Sequence, residues 1–154
     1  MVSARQPLFE GALTAPADLV ADYQQARRAT ERLCAPLAIE DYVVQAMPNV
    51  SPPKWHLAHV SWFFETFLLQ PNLAHYRQFN PDYAFLFNSY YNGAGPQFTR
   101  ANRGLLSRPT VEEIYRYRGS VDEAMLSLFE SMTNEELETL GSVATLGLNH
   151  EQQH

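Results

Sequence analysis

Lys54-Trp55-His56-Leu57-Ala58-His59-Val60-Ser61-Trp62-Phe63-Phe64-Glu65-Thr66-Phe67-Leu68-Leu69 is the stretch on which the fold turns. Apolar side chains occupy nearly every side of this run rather than one stripe, which predicts a helix covered on all faces. Ser51-Pro52-Pro53 ahead of it offers a capping hydroxyl and prolines suited to a first helical turn, and Pro71 closes it. A helix buried all round needs partners. Working outward, Leu19, Tyr23, Ala26, Thr30 and Leu33 recur at helical spacing up to a stop before Pro36. Downstream, Thr110-Val111-Glu112-Glu113 has the form of a capping box, followed by Ile114, Tyr117, Val121, Met125 and Leu128 on one stripe to about Ser131. A second box, Thr133-Asn134-Glu135-Glu136, opens a short acidic helix, after which Val143, Gly147, His150 and His154 share the inner face of a fourth helix. The prediction is an all-α four-helix bundle, with its chemistry between facing helices.

The 154 residues suit one domain, with residues 1–16 as an irregular lead-in and 17–154 as the bundle. Between Pro71 and Pro109 the chain is dense in Asn, Gly, Pro and Tyr, with one short helix around Asp82 to Tyr90. A connection of that length before the third helix suggests a binding loop. Hydrophobic residues at 45% and charged residues at 18% exclude wholesale disorder. An excess of 17 acidic over 11 basic residues argues against nucleic acid as a partner. The most apolar stretch, Val60 to Leu69, carries Glu65 and is about half the ~20 residues of a membrane span, so no membrane partner is expected. Cys34 is the single cysteine and no apolar leader follows Met1, which places the protein in the cytoplasm.

His150-Glu151-Gln152-Gln153-His154 sets two imidazoles four positions apart, one above the other on a helix, a spacing that lets both reach one ion. Spacing alone leaves ordinary hydrogen bonding open as an equal reading. His59, flanked by Trp55 and Phe63 on the apolar helix, is the best third donor, although a core histidine with a backbone partner would look the same. Three neutral imidazoles from two helices would leave further positions open, as a catalytic metal requires. His56 points elsewhere on the helix and suits an outer contact, and His75 follows the helix in a polar segment; both are left outside the metal shell. The same segment satisfies the H-E-x-x-H pattern of zinc hydrolases, with Glu151 as general base. No downstream ligand and no sheet accompany it, which weakens that reading.

Taken together, Lys54-Trp55-His56-Leu57-Ala58-His59 and Leu148-Asn149-His150-Glu151-Gln152-Gln153-His154 resemble, in order and separation, motifs of one family. The chain is similar to the amino-terminal DinB-like domain of the ergothioneine-biosynthesis sulfoxide synthases, with ovothiol-pathway enzymes as close relatives. Leu86-Phe87-Asn88-Ser89-Tyr90-Tyr91-Asn92 and Arg103-Gly104-Leu105-Leu106-Ser107-Arg108-Pro109 extend the resemblance over roughly Ala21 to His154.

The resemblance implies a DinB-like bundle and a non-haem Fe(II) enzyme. Such an enzyme uses O2 to join the sulfur of γ-glutamylcysteine or cysteine to Nα-trimethylhistidine and to oxidise that sulfur. The family's iron ligands fall on His59, His150 and His154. Arg100 and Arg103 match its carboxylate-binding arginines, a role that suits planar guanidinium forks, although plain surface arginines fit equally well. Gln153 matches a residue near the trimethylhistidine pocket, and Tyr90 and Tyr91 could face that cation.

The family's catalytic tyrosine lies in a carboxy-terminal domain resembling the formylglycine-generating enzyme, of which this sequence holds nothing. The fourth helix stops at His154 without a cap, so the expectation is a truncated, inactive amino-terminal fragment. The alternative is a stand-alone DinB-like metal-binding module or a thiol-transferase-like protein.

Overall fold

The computed structural model describes residues 16–154, so all but Pro16 of the expected lead-in lies outside the described residues. Four long helices form the body: α1 (Pro16–Cys34), α2 (Pro53–Phe64), α3 (Val111–Ser131) and α4 (Asn134–Gln153). No strand occurs among the described residues. Helix α2 lies against α3 and α4, and α1 against α4 and α3, which closes the four into a ring around one core.

Both expected capping boxes are present. Thr110 and Thr133 accept from the backbone N–H of Glu113 and Glu136, while each glutamate takes the N–H of its threonine, so two orphan donors are met at each end. On α3 the stripe Ile114, Tyr117, Val121, Met125 and Leu128 is buried throughout. On α1 Leu19, Tyr23 and Ala26 are buried, but Leu33 is 79% exposed, one turn beyond the level at which Thr30 bonds Glu151 of α4.

Three expectations are corrected by the backbone. Ser51 does not cap α2; Pro52 is the N-cap residue, and the Ser51 hydroxyl is turned to Arg103. Helix α2 does not stop before Pro71 but widens into a π turn, Glu65–Leu69, and runs on to Asn72. In that turn Gln70 N–H reaches the Glu65 carbonyl, and the wider spacing accommodates a proline ring that has no N–H to place. The acidic segment after Thr133 and the histidine helix are one continuous α4, because Gly141 in a helix interior costs only about 1 kcal/mol and does not break it.

Gly147 fixes the height of α4 on α2. A Cβ there would lie 2.6 Å from Cε1 of Phe64 and 3.0 Å from Cε1 of Phe63, so only glycine allows this approach. His150 and His154 follow it by one and two turns, which lays them over His59. The long connection from Leu73 to Pro109 is irregular, with one turn of helix at Tyr83–Leu86 and 3-10 turns at Asn92–Ala94 and Arg100–Leu105. It is tied down at two points: Asn88 donates to the carbonyls of Tyr91 and Gly95, and Gln45, from the segment between α1 and α2, receives the Gly104 N–H and donates to the Arg100 carbonyl.

Candidate metal centre

His59 is buried on α2 between two indoles, stacked on Trp55 at 4.5 Å and on Trp62 at 5.6 Å between ring centroids. Its Nδ1–H donates to the Phe87 carbonyl at 2.6 Å, which leaves Nε2 bare. That nitrogen lies 3.1 Å from Nε2 of His150. His154, on the exposed end of α4, brings its ring to 4.6 Å from those of both His59 and His150. One ligand atom from each of the three side chains falls within 4.8 Å of the others, so the group could hold a metal ion.

The electrostatics agree with that chemistry. Burial pushes His59 down to about 2 and His150 to about 4, with the neighbouring imidazoles adding to the effect, so the rings are neutral at physiological pH. Neutral imidazole is the form that ligates. Among the described residues the buried Nδ1 of His150 has no partner, and its Nε2 meets the opposing ring of His59. The separation of 3.1 Å is less than twice a typical metal–imidazole bond of about 2.1 Å, so one ion can be shared by both nitrogens.

Glu151 turns away from this face. Its carboxylate is buried and accepts from Arg27 Nη1 at 3.0 Å, Arg118 Nη2 at 3.1 Å and Thr30 Oγ1 at 2.8 Å. Burial alone would raise its pKa, but these cations hold it below the ordinary carboxylate range. Arg27 also binds Asp122, which accepts from Tyr23. A carboxylate consumed by two guanidiniums on the side of α1 and α3 is not available as general base, and this removes the physical support of the zinc-hydrolase reading. Sequence reasoning missed the network. Its members lie up to 124 positions apart and carry no motif, and the only signal was the presence of charges on helices otherwise rich in apolar residues.

A cleft of about 500 Å³ opens over the histidines, lined by Arg100, Arg103, Gln153, Tyr90, Tyr91 and the three rings, with no carboxylate among its described walls. Arg103 is buried, donates to Ser51 Oγ at 2.9 Å and lies over the Trp55 ring, and its Nε finds no acceptor among the described residues. Burial and the neighbouring Arg100 lower it to about 10, still cationic at neutral pH. Arg100 lies 4.6 Å over the ring of Tyr90, which is exposed in a left-handed conformation with φ 62°. Gln153 is exposed on the rim. The cleft therefore joins six of the residues expected to contact metal or substrate, together with Tyr90 and Tyr91. His75 sits exposed in the turn after α2, outside the cluster. His56, set aside as an outer residue, has its Nδ1 2.8 Å from Nδ1 of His154.

No helix among the described residues is long and apolar enough to cross a membrane. The family model described as the DinB superfamily matches residues 22–154, which takes in α2, α3, α4 and most of α1. No curated protein matches the chain.

Proposed function

The chain belongs to the DinB superfamily, and from that premise we propose that it is the metal-binding part of a non-haem Fe(II), O2-dependent sulfoxide synthase of the ergothioneine type. One observation carries the reading: the three-imidazole face opens into the same cleft as Arg100 and Arg103, and no described residue lining it is acidic. A metal alone would not call for two cations beside it; a substrate with carboxylates would.

The reaction proposed takes a thiol, the C–H of the Nα-trimethylhistidine imidazole and one O2. It forms a carbon–sulfur bond and an S=O bond and releases one water. Bound iron would supply the one-electron and O2 chemistry that no side chain of this chain offers. His59, His150 and His154 would hold it, and the choice of iron over zinc rests on the family resemblance. Arg103, locked on Trp55 with an unused N–H, receives a carboxylate of γ-glutamylcysteine or cysteine, and Arg100 a second. Gln153 and the ring of Tyr91 accept the trimethylammonium group, to which they offer partial negative charge. The catalytic tyrosine would come from the second domain that the resemblance implies.

Anaerobic calorimetry tests this reading. The Fe(II)-loaded chain is expected to bind γ-glutamylcysteine, and to bind it about tenfold or more weaker as Arg103→Ala, with iron retained, because a charge-assisted hydrogen bond is worth about 1.5–3 kcal/mol. Metal binding without thiol binding would favour the stand-alone metal-binding module instead.

A further inference from the structure

We propose that His56 is a positioning residue of the metal centre: its Nδ1 accepts the Nδ1–H of His154 and so turns the bare Nε2 of His154 toward the ion shared with His59 and His150. The inference rests on the metal-binding reading of those three histidines and on nothing in the sulfur chemistry.

Two Nδ1 atoms 2.8 Å apart must share one hydrogen, and the direction is fixed by what ligation requires. With Nδ1 of His154 occupied by His56, the nitrogen left for an ion is Nε2. A neutral imidazole with a bare Nε2 carries its proton on Nδ1, so His154 is the donor and His56 the acceptor. The opposite direction would put an N–H of His154 into the site and exclude it from the ion. His56 then carries its own proton on Nε2.

His59 shows the same device with a different acceptor, its Nδ1–H being held by the Phe87 carbonyl. His154 needs one more than His59 does. It is exposed, whereas His59 is buried and held between the rings of Trp55 and Trp62. An exposed imidazole samples several rotamers unless a neighbour pins it. The pin comes from α2, three positions before His59, so one rigid helix supplies a ligand and the orienter of another.

Zinc binding by the full chain, with Zn(II) in competition with a chelator, tests this. His56→Phe, which keeps bulk but cannot accept, is expected to weaken binding by about 10–100-fold, the usual cost of losing an outer hydrogen bond to a metal ligand. His56→Asn restores an acceptor oxygen and is expected to recover most of the loss. Long-range proton–nitrogen NMR of zinc-loaded wild type needs no variant to fold. It should show His154 protonated at Nδ1 and metal-bound at Nε2, with His56 bare at Nδ1. Equal zinc affinity in folded His56→Phe, or a proton on Nε2 of His154, overturns the inference. A wild-type chain that binds no zinc overturns the metal reading and this inference with it.

Discussion

The guanidinium carbon of Arg103 lies 3.5 Å from the ring centroid of Trp55, and the same indole stacks on His59. One side chain thus braces both the cation of the cleft and a candidate metal ligand. Trp55 is itself anchored, its Nε1–H donating to the Leu86 carbonyl. Trp55→Leu is expected to weaken metal and thiol binding together, whereas Arg103→Ala weakens thiol binding alone. Calorimetry of both variants with Fe(II) and with γ-glutamylcysteine separates the two effects; independent behaviour of Trp55→Leu would show that the stack does not couple them.

Glu151 is expected to matter for stability. Glu151→Ala leaves Arg27 and Arg118 buried without their shared carboxylate, which costs about 3–5 kcal/mol. A urea titration followed by circular dichroism checks this. A change below about 1 kcal/mol would show that solvent already compensates the two cations.

Two glycines of α4 give opposite expectations. Gly147→Ala drives a methyl group against Phe63 and Phe64, an overpacking cost of about 1–3 kcal/mol that exceeds the helix-propensity gain. At Gly141 the nearest atom, Leu137 Cδ1, is 3.8 Å from an added Cβ, so Gly141→Ala is expected to stabilise by about 0.5–1 kcal/mol. Thermal melts of the pair should move in opposite directions.

The apoprotein should lose stability on the acid side of neutrality. Burial lowers His59 to about 2 and His56 and His150 to about 4 from the ordinary 6.5. Below about pH 6.5 the unfolded chain takes up protons that the folded chain refuses, so stability present above that value falls as pH drops toward 4. Urea midpoints with a chelator present should decrease steadily over that range, and a flat profile would mean that these rings are hydrated.

Much of the bundle was legible because the signals were local. Both capping boxes, the α3 stripe and the histidine spacing each sit within a few turns, where periodicity and cap chemistry act. The failures were of longer range. Ser51 has a capping residue's chemistry, yet a guanidinium from 52 positions away claims its hydroxyl. Pro71 carries a stop signal that a π turn overrides, and Leu33 continues a stripe past the level at which α4 covers it. His56 shares a helix with His59 but meets a ring 98 positions on, a pairing no helical wheel contains. The grouping of His59 with His150 and His154 was accessible from apolar context and spacing; the carbonyl of Phe87 that sets the His59 tautomer was not.

Anaerobic titration of the chain with Fe(II), compared with His59→Ala, His150→Ala and His154→Ala, tests the three-histidine metal centre most directly. The expected result is one ion per chain in the wild type, imidazole nitrogens in the X-ray absorption spectrum, and loss of binding in each variant while the helical circular dichroism persists. Iron binding that survives the replacement of His59, or a folded wild-type chain that takes up no ion, would contradict it.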